Sequence, residues 1–169
     1  MIADLPISIV TAKNIHSQNR AVITDDQIER IDNQQARSEC SGHGYKLDTK
    51  LLGRGSYAKV TKATATVSAI RHCPKLELFL RKKQRHCPRV AVKVISIHNA
   101  PQNYIRKFLP REINALTKSY RHRNVIQLFE SFASQERIFL VMELCNGGTL
   151  LDKIKQMSQT SMKGENRLF

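Results

Sequence analysis

Hydrophobic and polar positions fall into a regular order at Tyr45. Tyr45, Leu47, Thr49 and Leu51 alternate with Lys46, Asp48 and Lys50, the period-two pattern of a half-buried strand. Gly53-Arg54-Gly55-Ser56 turns the chain, and residues 57–67, rich in Val, Thr and Ala, read as a second strand. Residues 90–97 form a third, with Val90, Val92 and Val94 on one face and Ala91, Lys93 and Ile95 on the other. Over residues 103–119 the period changes: Ile105, Leu109, Ile113 and Leu116 recur at helical spacing. Pro110 must open the main part of this helix or kink it. Residues 125–132 and 137–144 are two more strands joined by a short polar turn, a hairpin. Asn146-Gly147-Gly148 then breaks the chain before a small helix over 149–157 that turns Leu150, Leu151 and Ile154 inward. Hairpins dominate and no regular βαβ alternation exists. The expectation is an α+β fold, a five-stranded antiparallel sheet with one packed helix.

Two stretches lie outside this pattern. Residues 1–44 are rich in Gln, Asn, Ser and Asp and end in Ser41-Gly42-His43-Gly44, so they read as a disordered leader, with a short helix over 25–35 as the alternative. Residues 68–89 read as an insertion whose only order is a repeat, Arg71-His72-Cys73-Pro74 recurring as Arg85-His86-Cys87-Pro88. Charge sharpens both readings. The 169 residues carry a net +14, which at first suggests a nucleic-acid or anionic-surface binder. The leader is net −2, however, and residues 71–89 alone supply +6. That is one basic loop on a generally basic domain, not a binding stripe, and nucleic acid is not the expected partner. The run Arg81-Lys82-Lys83-Gln84-Arg85 has no aromatic interleaving beyond Phe79 and reads as solvated. His72, Cys73, His86 and Cys87 could supply four zinc ligands. Adjacent His-Cys pairs rarely aim both side chains at one metal, though, so a duplicated, solvated loop is the better reading and no metal is expected. No stretch approaches the ~18 apolar residues of a membrane span, and residues 1–13 lack a basic n-region. The four cysteines are therefore expected reduced, in an intracellular, cytoplasmic chain.

Three positions suggest chemistry. Gly53-Arg54-Gly55 lets backbone bend close to something, and phosphate is the usual something; it precedes a strand, which excludes the dinucleotide-binding motif. Lys93 stands mid-strand among Val92 and Val94 and must snorkel, pair or meet an anion. Glu112 shares the apolar stripe of the helix, four residues after Phe108 and four before Leu116. A carboxylate there is costly unless paired, and Lys93 is its natural partner; the alternative is that Glu112 lies at the edge of the stripe and is solvated.

In order and spacing these features resemble the N-terminal lobe of a protein kinase: Gly53-Arg54-Gly55-Ser56-Tyr57-Ala58-Lys59-Val60, then Val90-Ala91-Val92-Lys93, then Glu112. Leu140-Val141-Met142-Glu143-Leu144-Cys145-Asn146-Gly147-Gly148 is similar to that lobe's fifth strand and hinge. The wording is most similar to the testis-specific serine/threonine kinases, through Gly55-Ser56-Tyr57-Ala58-Lys59-Val60 and Phe108-Leu109-Pro110-Arg111-Glu112. The resemblance runs over residues 45–169, interrupted at about 68–89, and implies the following roles. The loop Gly53, Arg54, Gly55, Ser56, Tyr57 and Ala58 would fold over the phosphates of ATP. Val60 and Ala91 would sandwich the adenine. Lys93 would hold the α- and β-phosphates, steadied by Glu112. Met142 would line the back of the pocket, the Glu143 carbonyl and Cys145 amide would bond the adenine edge, and Leu116 and Leu128 would tie helix to sheet. Ala58 stands where the family usually has a third glycine.

A kinase also needs an Asp as base, an Asn five residues later and an Asp on the metal. After Lys93 this sequence has one Asp, Asp152, followed five residues on by Met157, with no His-Arg-Asp and no Asp-Phe-Gly. The expectation is an incomplete kinase domain, ending before most of the helical C-lobe, that binds ATP and is inactive alone. Mg2+ and a protein substrate belong to the complete form. The alternative is a non-catalytic basic module that binds a partner protein or nucleic acid. Oligomeric state is left open.

Overall fold

The computed structural model describes residues 24–83 and 88–165. Five strands, β1 Tyr45–Arg54, β2 Ala58–Ala65, β3 Arg89–Ser96, β4 Leu128–Ala133 and β5 Arg137–Glu143, form one sheet in the order β1-β2-β3-β5-β4. Every neighbouring pair is antiparallel. The fold class is thus the expected one, and β3, which carries Lys93, lies in the middle.

Alternation along β3 divides the core. Ile95 joins Leu140, Met142, Leu128, Leu109 and Ala100 on one face, which is covered by a π-helical turn Tyr104–Phe108 and the helix α4 Leu109–Lys118. Pro110 explains this junction. It occupies the first turn of α4, where a missing N–H costs nothing. The chain just before it widens to a π turn, closed by the Leu109 N–H on the Tyr104 carbonyl.

The opposite face is covered too, and here the sequence-based expectation fails. Residues 25–44 are not disordered: α1 Asp25–Gly42 is a full helix. Thr24 and Gln27 cap it reciprocally, the Gln27 N–H donating to Thr24 Oγ1 and the Thr24 N–H to Gln27 Oε1, and Ala36 and Cys40 are buried against the sheet. Burial pushes the Cys40 thiol up to about 12, with the Glu130 and Glu39 carboxylates adding to it. Residues 1–23 lie outside the described residues. The segment read as a solvated loop is two helices, α2 Val67–His72 and α3 Pro74–Lys83. Ala69, Cys73 and Leu76 enter the same core as Val90, Val92, Phe139 and Val141. Cys73 and His72 accordingly face different surroundings: the Cys73 thiol donates to the Phe129 carbonyl in the interior, while His72 bonds Ser68 at the surface. The basic end of α3 is engaged within the chain, Arg81 on Glu77 at 2.7 Å and Lys83 over the Phe79 ring. Residues 84–87, with the second half of the repeat, are outside the described residues.

Gly44 joins these layers. Its φ of +83° is costly for other residues, and a Cβ there would lie 2.8 Å from Thr66 Oγ1 and 2.9 Å from the Ala69 side chain. Its carbonyl accepts from the Thr66 N–H at the start of α2. What reads as a linker is a tight joint.

Two smaller expectations also change. In β1 only Tyr45 is buried and Leu47 half-buried; Thr49 and Leu51 are exposed, because β1 is an edge strand whose pairing shifts register between Leu47 and Leu51. In α5, Leu150–Glu165, Leu150, Leu151 and Ile154 are not inward but more than half exposed.

Leu76 decides whether residues 67–83 are core or loop. Leu76→Ala should cost about 2–4 kcal/mol in chemical denaturation. A change within about 0.5 kcal/mol would mean a solvated segment.

Candidate functional site

The cross-strand register fixes which side chains share the α4 face. Val60 stands opposite Lys93, and Lys93 opposite Leu140. Ala91 stands opposite Met142, which stands opposite Leu128. Val60, Ala91, Lys93 and Met142 are therefore neighbours on one surface, with Met142 and Ala91 buried and Val60 half-buried. Leu116 packs on the same cluster from α4.

Glu112 comes down from the first turn of α4 and meets Lys93, Nζ to Oε1 at 2.7 Å. With 22% and 37% of the side chains exposed, the pair adds on the order of 1 kcal/mol or less to stability. Its importance is positional, since it holds an ammonium group beside a hydrophobic surface with donors to spare. The second carboxylate oxygen has its own donor, the Tyr104 hydroxyl, at 3.2 Å from Oε2. Tyr104 in turn packs against Tyr57 of the glycine loop, ring centroids 4.7 Å apart. No pattern in the sequence marked Tyr104. It lies eight residues before Glu112, and only the π turn and the folded loop show the connection.

The loop itself joins β1 to β2. The Gly55 N–H donates to the Ala58 carbonyl at 2.7 Å, and Ser56 and Tyr57 make the turn. Neither Gly53 nor Gly55 has a positive φ, and a Cβ at Gly53 would meet nothing within 4 Å. The chain's own packing does not require glycine there. Open space above the loop suits a close-approaching anion such as a phosphate chain. The Arg54 side chain is not over that space: it is bonded to Glu29 of α1 at 3.1 Å. A groove of about 440 Å3 on this other side of the sheet runs from the loop residues Gly55, Ser56, Tyr57 and Ala58 past Glu29, Asp32, Arg54, Lys59 and Arg137. These cations are already paired with the α1 carboxylates, so the groove is a poor anion site.

At the end of β5 the Glu143 N–H donates to the Gln127 carbonyl at 2.8 Å, and Cys145, a free thiol, is exposed. Asp152 serves as a cap: its carboxylate accepts from the Thr149 hydroxyl at 2.6 Å and from the Thr149 N–H at 3.2 Å. Those bonds hold the carboxyl below the usual range. Among the described residues no group of three or more His, Cys, Asp or Glu is placed to hold a metal ion.

A glycine hairpin, a mid-strand lysine and a helical glutamate joined at 2.7 Å on the covered face of an antiparallel sheet define one class of protein. The family model for protein tyrosine and serine/threonine kinases matches residues 47–168, and the chain belongs to the protein kinase family. Within that family it is 43% identical over 130 residues to testis-specific serine/threonine-protein kinase 5 of Mus musculus, covering 77% of this chain and 34% of that protein. It is 36% identical over 111 residues to testis-specific serine/threonine-protein kinase 3 of Mus musculus (65% and 34%). It is 34% identical over 110 residues to calcium-dependent protein kinase 5 of Plasmodium falciparum (isolate 3D7) (65% and 16%). The chain spans about a third or less of the length of these relatives.

The Tyr104–Glu112 bond has a pH signature. Burial, then the Glu112 charge and hydrogen bond, push the Tyr104 hydroxyl up to about 12. A raised value means the contribution is complete below the unfolded phenol value, about 10, and disappears as pH rises through about 12. Tyr104→Phe should lose about 1 kcal/mol at neutral pH, and its gap from wild type should close across that alkaline window in denaturant titrations. A gap that stays constant there would contradict the bond.

Proposed function

We propose that these residues form the nucleotide-holding lobe of a serine/threonine protein kinase, which in its complete form transfers the γ-phosphate of ATP to a protein hydroxyl. The observation that carries this is the Lys93–Glu112 pair at 2.7 Å, set beside the apolar surface of Val60, Ala91 and Met142 and under the glycine hairpin. ATP supplies the phosphoryl group; what this chain contributes is position and charge. Val60, Ala91 and Met142 hold the adenine, the Gly53–Ala58 backbone covers the phosphates, and Lys93 neutralises their charge. Glu112 keeps the ammonium aimed, and Tyr104 keeps Glu112 aimed. The Glu143 carbonyl and Cys145 amide are the adenine-edge partners. Arg54 acts through its backbone, because its side chain belongs to α1.

The 169 residues include no base Asp and no metal-binding Asp in kinase sequence context. Mg2+ and protein substrate are therefore assigned to the complete kinase, and these residues alone to weak ATP binding without transfer. Similarity to testis-specific serine/threonine kinases supports serine or threonine as the acceptor, and we place the protein in the cytoplasm. Among the described residues no helix is long and apolar enough to cross a membrane.

Calorimetric titration of ATP into the 169-residue chain should give millimolar affinity, weakened further by Lys93→Met with the fold intact by circular dichroism. Micromolar affinity, or phosphoryl transfer to a peptide by the chain alone, would contradict the reading. Gly53→Ala separates fold from function. With open space around the added methyl, thermal stability should hold or rise slightly while ATP affinity falls. A variant that unfolds, or one that binds ATP normally, would remove the loop from the site.

A further inference from the structure

We infer that α1 positions the glycine-rich loop, and that Glu29 is the residue through which it acts. The helix presents Glu29, Asp32 and Glu39 toward the sheet, spaced so that all lie on one side. They meet three cations from three different strands: Arg54 of β1, Lys59 of β2 and Arg137 of β5.

The two ends of this row have different tasks. At the Arg137 end the guanidinium is 4% exposed, bonded to Asp32 Oδ1 at 2.6 Å and to Glu39 Oε1 at 2.8 Å, with Gln35 Oε1 at 3.1 Å. Burial pushes the Asp32 carboxyl up, and the Arg137 hydrogen bond and charge, joined by Lys59, more than cancel that and leave it below the usual carboxylate range. This multidentate, largely desolvated contact fixes the helix without touching the loop.

At the other end, Glu29 Oε1 lies 3.1 Å from Arg54 Nη1 and 3.3 Å from Lys59 Nζ. Arg54 and Lys59 are direct cross-strand partners, the last pair of the ladder before the loop closes. Two like charges facing each other at that position push the stems apart. One carboxylate oxygen between them turns the repulsion into two attractions across the hairpin. Asp32 and Asn33 support Lys59 at 3.4 and 3.0 Å, whereas Arg54 is held by Glu29. The stems are thus tied across the loop by a residue of α1, on the side of the sheet opposite Lys93. The value of a tied loop to ATP rests on the function proposed above; the tie itself does not.

Residue-resolved amide exchange on the 169-residue chain without nucleotide tests this, with the Gly55 N–H, bonded to the Ala58 carbonyl, as the reporter. Glu29→Gln should speed Gly55 exchange about fivefold while amides around Cys40 in α1 and Val92 in β3 keep their protection. Adding Arg54→Gln removes the like-charge pair and should return Gly55 toward the wild-type rate. Three results would overturn the inference: unchanged Gly55 exchange in the single variant, a double variant as fast as the single, or equal loss of protection throughout α1. With no ATP present, such a failure leaves the nucleotide reading standing, and a failed ATP titration leaves this one standing.

Discussion

Lys93 rises from the central strand of a sheet whose two faces are both covered, and its ammonium group meets Glu112 2.7 Å away. Much of the lobe is arranged around that contact. A lysine among Val92, Val94 and Ile95 needs a carboxylate at short range, and the carboxylate needs a helix held at a fixed height over the sheet. Leu109, Ile113 and Leu116 provide that height by packing on Leu140, Met142 and Leu128. Pro110 sets where α4 begins, and the π turn before it carries Tyr104, whose hydroxyl bonds the other oxygen of Glu112. Through Tyr57 the same tyrosine touches the glycine loop. Packing, helix termination and loop contact therefore converge on one ion pair that is itself weak in stability terms.

The reverse face does different work. Cys40, Ala69, Cys73 and Leu76 close over Val90, Val92, Phe139 and Val141, so β3 is buried from both sides. Small residues at most of these helix positions let the helices approach the sheet closely. Two chain segments supply this cover, α1 from before β1 and α2–α3 from between β2 and β3.

Strands, the helix α4 and the paired Lys93 and Glu112 were readable because each rests on local period or on a costly residue type in an apolar setting. Much of α1 was not. Its buried side consists of Ala36 and Cys40, too little apolar surface to show a stripe, and its docking relies on pairs such as Asp32–Arg137, 105 positions apart. Its start was legible in retrospect, as Thr24-Asp25-Asp26-Gln27 has the spacing of a capping box. The inserted segment carried a signal as well: Ala69, Cys73, Leu76 and Leu80 recur at helical spacing across α2 and α3. The basic residues and the Arg-His-Cys-Pro repeat mask it, and Pro74 interrupts it by starting α3. Tyr104 and the Glu29 bridge had no sequence signal, since both depend on where a loop folds in space.

In the proposed function ATP lies on the Lys93 face of the sheet and not on the α1 face, where Lys59 stands among carboxylates. Site-resolved acylation of lysine amines, followed by mass spectrometry with and without millimolar ATP, tests this most directly. ATP should slow modification of Lys93 and leave Lys59 unchanged. Protection of Lys59 instead, or equal rates at Lys93 with and without ATP, would place the nucleotide elsewhere.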